Sequence, residues 1–437
     1  MRSPAPRLNQ VFLLGGGLAL ACSHLLGISD PLPRSAAGSS GLGPDERGGA
    51  DDGGASAGRT TSGGGGQVHS AGGLGGHAAG GDSDGGAGAS AGDNSLGGMG
   101  GRAGDGGSAG STHCTASERQ CAGNEVQRCE NGDWRDEQEC AAYCVSGACI
   151  TPPSCGLLGT RTCGDSASCC RALEVPGGSF IRDYDGKQYT SPHFAATIST
   201  FLMDRFEVSV GRFAAFVNAF PNLELKEGDG KSPRIPDDLG WRDSYPLPKT
   251  SEELLAELHC PNTTWVDSED GDLNLPANCV DFYTAYAFCI WDQGRLPTEA
   301  EWNYAAAGGD EQREFPWSVN GDSGLDLDHA NYGGDAGSAL PIAVGTKPKG
   351  NGRWGHSDLS GNVNEWTLDY YTQVYASTVC RDCVNQVAQP TRTTRGGAYA
   401  FNESAQKVDY RTSGQPNTPR SYTGFRCVRD LPSSVQN

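Results

Sequence analysis

Histidine, positive charge and long apolar runs are all scarce in this chain of 437 residues. It has eight histidines, and the four in its C-terminal part (His193, His259, His329 and His356) are widely separated. No closely spaced imidazole set therefore signals a non-haem iron centre. Lysine and arginine number 33 against 53 aspartates and glutamates, a net charge of −20. That balance argues against nucleic acid and anionic lipid headgroups as partners. No G-x-x-x-x-G-K-[ST] phosphate loop occurs, and the C-terminal region has no G-x-S-x-G nucleophile elbow. The apolar run Val11–Leu20 is too short for a comfortable membrane span.

Glycine and cysteine are abundant instead, at 65 and 17 residues. So many cysteines point to an oxidising compartment, where disulfides persist. Arg2 and Arg7 precede the apolar run, which ends in Leu18-Ala19-Leu20-Ala21-Cys22. This resembles a bacterial lipoprotein signal over residues 1–22, with Cys22 as the lipidated residue. Removing Cys22 leaves 16 cysteines, an even number. The expectation is an exported protein, anchored by lipid to the cell envelope at the outer membrane. Residues 23–111, dominated from about 37 onward by Gly, Ala, Ser and Asp, have almost nothing to bury and are read as a disordered linker. A flexible coil of that length reaches about 50 Å on average.

Residues 112–170 read as a small disulfide-rich module. Cys114, Cys121, Cys129, Cys140, Cys144, Cys149 and Cys155 crowd a segment too short to build a core. Seven is odd, so one of them is expected to pair with Cys163, Cys169 or Cys170. The spacings lack the paired C-x-x-C of a zinc site.

Residues 171–431 read as one globular α+β domain. Val175–Phe180 looks like a strand meeting a tight turn, and Phe201–Val208 alternates as a strand would. Ser209 is placed to cap a helix with Phe213, Phe216, Val217 and Phe220 on its apolar face. A second helix begins near Asp281 and buries Phe282, Ala285, Phe288 and Cys289. Thr298 caps a third, and Glu301 three residues on completes a capping box. Cys260 and Cys279 bracket an acidic loop and are placed to close it. Cys380 and Cys383 form a C-x-x-C, read as a local disulfide. The acidic run Asp267, Glu269, Asp270 and Asp272 imitates a calcium loop but breaks its pattern.

Several strings in this region occur in a telling order. They are Asp204-Arg205-Phe206-Glu207-Val208, Arg295–Trp302, Phe315-Pro316-Trp317, Ala330-Asn331-Tyr332, Gly361-Asn362-Val363-Asn364-Glu365-Trp366, Arg395-Gly396-Gly397 and Gly424-Phe425-Arg426-Cys427. Together they resemble the formylglycine-generating enzyme (sulfatase-modifying factor) family. The resemblance implies a compact, irregular fold related to C-type lectins, and a disulfide between Cys289 and Cys427. It implies one calcium site at Asn331 and Tyr332 with Asp335 and Gly337. A second would use the side chains of Asp358 and Glu365 and the carbonyls of Ser360 and Val363. Oxygen-rich sets of this kind suit calcium.

The family's oxidases hold copper with two cysteines shortly after an Arg-Gly-Gly-Ser string. Here Arg395-Gly396-Gly397 is followed by Ala398, and no cysteine appears before Cys427. Copper is therefore not expected, and no catalytic residue is assigned. The reading is an extracellular binding module for a peptide, protein or glycan, with Tyr399, Phe401, Tyr410 and Arg411 as candidate groove residues. The alternative is a formylglycine-generating oxidoreductase acting on a sulfatase cysteine.

Overall fold

Three disulfides do the work of a core in residues 114–150. The strands Arg119–Ala122, Glu125–Glu130 and Asp133–Glu139 form an antiparallel sheet in chain order, followed by the hairpin Tyr143–Val145/Ala148–Ile150. Bonds Cys114–Cys129, Cys121–Cys144 and Cys140–Cys149 staple these pieces over a buried cluster of only Val126, Cys140 and Cys144. The structure, a computed structural model, describes residues 114–156, 161–183, 194–267, 271–319, 324–333, 340–375 and 379–432. The signal segment, Cys22, the 23–111 linker, Asp335 and Gly337 lie outside the described residues.

The seventh cysteine of the group, Cys155, bonds Cys170, and Cys163 bonds Cys169. Cys155 sits on the short helix α1 (Pro153–Gly156). With Tyr143 and Cys170 it packs against Ala172, Leu202 and Leu431 of the larger domain. The small segment thus shares a core with the domain that follows it.

Among the described residues that domain has three small sheets and four further α-helices. Strands Ala172–Val175, Phe201–Asp204 and Val428–Asp430 pair antiparallel, returning the end of the domain to its beginning. Gly178–Ile181, Ala195–Ile198 and Cys380–Arg381 form a second sheet. The third runs Arg411–Gly414, Arg392–Arg395, Asn364–Tyr370 and Thr423–Gly424. The strand read over Phe201–Val208 stops at Asp204. All four of its residues are buried, so it is a two-sided core strand rather than a half-exposed one. The remaining four residues leave the sheet and carry Glu207 inward.

Helix α2 (Val210–Ala219) begins at Ser209, whose hydroxyl accepts the Arg212 N–H. Helix α3 (Ser251–Glu257) is capped by Thr250. In α4 (Phe282–Trp291), capped by Asp281, seven of ten residues are buried. A helix apolar on nearly every side belongs in the middle of a core. Phe213 and Phe288 stack at 5.7 Å, with Phe216, Phe282, Phe425 and Trp366 in the same cluster. Each such ring contributes about 1.5–3 kcal/mol by leaving water. Helix α5 (Glu299–Ala306) carries the capping box at its entrance. The Cys289–Cys427 bond ties α4 to the last strand, Cys260–Cys279 closes the acidic loop, and Cys380–Cys383 is a local bridge.

Candidate functional site

Helix α5 and its entrance gather one set of the domain's buried polar groups. The Thr298 hydroxyl accepts the Glu301 N–H at 3.1 Å, and the Glu301 carboxylate accepts the Thr298 N–H at 2.9 Å. Arg295 grips the same carboxylate with two bonds of 2.7 Å. One turn of α5 then supplies two connections. Glu299 binds Arg395 and Arg411, and the Trp302 indole donates to Glu365 at 2.9 Å.

Glu365 lies on the strand Asn364–Tyr370 and is fully buried. Arg426 holds it through Nε and Nη2, each at 2.7 Å, and spends its other donor contacts on the carbonyls of Asp204, Arg205 and Ser357. Two more buried carboxylates feel this centre. Glu207 accepts from the Asn362 amide at 2.6 Å and the Val363 N–H at 3.0 Å. Asp358, at a positive φ of 58°, accepts the Gly345 N–H at 2.6 Å. Burial first, then Asp358 and Glu365, push the Glu207 carboxyl well above the usual carboxylate range. Burial chiefly raises Asp358 to about 6.

These positions bear directly on the calcium expectation. Glu365, expected as a calcium ligand, instead has its carboxylate taken up by Arg426 and Trp302. Ser360 turns its hydroxyl to the Gln406 carbonyl. Asn331 is buried, and its amide donates to the Leu340 carbonyl and to Asn362. Tyr332 is buried beside it. Among the described residues no group of three or more His, Cys, Asp or Glu side chains is spaced to hold a metal ion.

The loop that follows Gly396 and Gly397 is pinned by an amide. Both glycines take positive φ, 96° and 68°. The buried Gln406 folds back so that its Nε2 donates to the carbonyls of Ala398, Phe401 and Asn402 at 3.1–3.3 Å. Sequence reasoning passed over Gln406, Glu207 and Arg426 as site residues. The last two lay in the quoted strings, but only as markers of resemblance.

The four candidate groove residues separate into two places. Tyr399 is buried, its hydroxyl 3.3 Å from that of Ser421, and Phe401 packs on Tyr422. The Tyr410 carbonyl and the Arg411 side chain belong to the Glu299 cluster instead. There Arg411 lies over the ring of Tyr375 at 4.2 Å, and Arg395 donates to the Tyr375 hydroxyl and to Asp183 at 2.7 Å each. Burial pushes Glu299 upward, but Arg395 and Arg411 outweigh it and hold the carboxyl below its ordinary value. Asp369, receiving the Glu299 N–H at 2.7 Å, is raised to about 7 by burial and by Glu299.

The sixteen cysteines other than Cys22 are all paired in eight disulfides. None of them is a thiolate, and the loop after Gly397 has no sulfur at all.

A model of the sulfatase-modifying factor enzyme 1-like domain matches residues 163–431, more than half of the chain. The chain belongs to that family. Mouse "Formylglycine-generating enzyme" is 27% identical over 289 residues, covering 60% of this chain and 76% of that protein. Mouse "Inactive C-alpha-formylglycine-generating enzyme 2" is also 27% identical, over 290 residues, covering 59% and 84%. The solved "Structure of PvdO from Pseudomonas aeruginosa" has 22% identity and a TM-score of 0.43, covering 60% of this chain and 94% of that one. This sulfatase-modifying-factor-like domain therefore has both oxidoreductases and an inactive protein among its relatives.

Proposed function

We propose that this family member is an extracellular binding module that does not run copper-dependent oxidation of cysteine. The observation that supports the reading is the loop after Gly397, which has no cysteine and is pinned by the Gln406 amide on three carbonyls. Soft Cu(I) needs thiolates, and the cysteines of the domain are spent on disulfides. The ligand in this reading is a peptide, protein or glycan outside the cell. Cys22 would hold the protein to the envelope by a lipid, and the glycine-rich linker would set the domain at a distance. Calcium at the acid-rich centre, bound by Asp358 and the carbonyls of Ser360 and Val363, would serve stability rather than chemistry. The runner-up is a formylglycine-generating oxidase, which the similarity to the mouse enzyme favours.

The deciding experiment incubates the purified protein with copper, oxygen and a cysteine peptide of the sulfatase type, read by mass spectrometry. An unchanged peptide, while a known oxidase converts it alongside, is the expected result. Conversion to formylglycine would retire the binding-module reading.

A further inference from the structure

We infer that the seam between the disulfide-stapled segment and the large domain is a binding site for a small organic carboxylate with an apolar body. This goes beyond the binding-module reading: it adds a small-molecule site to the peptide, protein or glycan of that reading and is tested independently of it. A cleft of about 450 Å³ opens there, within the usual range of small-molecule sites. One wall comes from the hairpin, through Tyr143 and Ile150; the other comes from Leu202 and the α4 residue Ile290. Neither part of the chain makes the cleft alone, which gives the stapled segment a role beyond spacing.

The charged groups of the cleft decide which ligand suits it. Arg295 and Arg429 line it and are 2% and 4% exposed. Their terminal nitrogens are committed: Arg295 to Glu301 and Asp430, Arg429 to Asp204 and Asp292. The Nε–H of each is buried without a hydrogen-bond partner. Both nitrogens are out of reach of solvent, so the charge that a ligand in the cleft can meet is that of Lys231. Asp430, the one carboxylate in the lining, is already bound by Arg295 and Arg234. Lys231 then stands over the cleft as an exposed cation with no ion pair among the described residues. Gly230 puts it there. Its φ is +71°, and a Cβ at this position would lie 2.6 Å from Ile290 Cγ1, so only glycine lets the loop approach α4 so closely. In a protein of net charge −20, an unpaired cation beside apolar walls selects an anion that also has something to bury.

The test titrates the full exported protein with 3-phenylpropionate and, separately, with its uncharged amide, by calorimetry. The acid is expected to bind about tenfold more tightly than the amide. Lys231→Glu should weaken the acid about tenfold and leave the amide unchanged, whereas Lys231→Arg should keep the preference. Ile150→Asp, which spoils the apolar wall, should weaken both probes. Thermal melts of each variant check that it folds. Equal affinity for acid and amide, indifference to Lys231→Glu, or no heat with folded protein at millimolar probe overturns the assignment. Peptide oxidation in the copper assay would sink the binding-module reading and leave these outcomes untouched. Loss of the acid preference would sink the cleft without making the protein an oxidase.

Discussion

Two buried ionic clusters lie on either side of the same short stretch of chain, and they are built on opposite principles. In the first, Asp204 and Asp292 meet Arg212 and Arg429, two charges of each sign. Arg212 also donates to the Ser154 hydroxyl at 3.0 Å, and the Ser154 N–H donates to Asp292 at 2.9 Å, so the quartet locks α1 onto the core. In the second, Glu207, Asp358 and Glu365 share Arg426. The first cluster is complete within the protein. The second carries more negative charge than its guanidinium can match, and in a low-dielectric interior that excess must be relieved by a proton or a cation. Burial pushes Asp204 upward, yet Arg212 and Arg429 prevail and hold it below its ordinary value. Glu207, three residues on, is driven the other way. A neutral network marks a structural lock, and an unbalanced one marks a place that responds to conditions.

The largest break in this comparison is Arg426→Leu. It strips three buried carboxylates of their guanidinium and leaves the main-chain carbonyls of Asp204, Arg205 and Ser357 without their donor. Removing one partner of a buried pair costs about 3–5 kcal/mol, and here several acceptors lose theirs together. We expect no folded protein at pH 7 and partial recovery near pH 5, read by near-ultraviolet circular dichroism. A native spectrum at pH 7 would show that Arg426 is not the counter-charge of this centre.

Arg212→Met comes next. It leaves Asp204 and Asp292 with Arg429 alone and takes the donor from the Ser154 hydroxyl, so unfolding free energy should fall by about 3–5 kcal/mol in a denaturant titration. Because Ser154 belongs to α1, limited proteolysis should also release the stapled segment sooner than in the unchanged protein. A drop in stability without that release would separate the lock from the core it is said to close.

Calcium sharpens the contrast with a smaller effect. At pH 7 it should raise the melting temperature by a few degrees, at about 2–4 °C per kcal/mol for a domain of this size. Asp358→Asn should abolish the increment, while a variant in the balanced quartet should keep it. An unchanged melt in calcium, and in chelator, would assign the relief of charge to a proton on Glu207.

How much of this was readable in the sequence follows the same division. Local chemistry was legible: Ser209, Asp281 and Thr298 announce helix starts through hydrogen bonds to residues three positions away. Thr250 with Glu253 carries a similar signal for α3 and was passed over, because the surrounding polar loop has no clear apolar stripe. The ionic clusters were not legible. Arg212 meets a partner 80 residues away and Arg426 one 61 residues away, and nothing in local spacing distinguishes Asp204 from Glu207. The extended reading of Phe201–Val208 failed at the point where these two acids part. The docking of the stapled segment was hidden for the same reason, since Ser154 and Cys155 look like ordinary members of a cysteine-rich run.

The finest test compares the pH dependence of the two clusters. Asp204, held low, contributes stability that is present above its unfolded value of about 4 and is lost as pH falls through its lower folded value. Asp358, raised to about 6, contributes stability that is full below about 4 and is lost as pH rises through 6. In calcium-free buffer the protein should therefore lose stability between pH 4 and 6 on account of Asp358, against any gain from groups like Asp204. Asp358→Asn isolates that part. Asparagine tolerates the positive φ at this position and keeps an oxygen for the Gly345 N–H, but it does not titrate. The variant should match the unchanged protein near pH 4 and exceed it by about 3 kcal/mol at pH 7 without calcium. Parallel curves across that window would mean that Asp358 keeps its charge in the folded protein. The acid-rich centre would then be as self-sufficient as the quartet beside it.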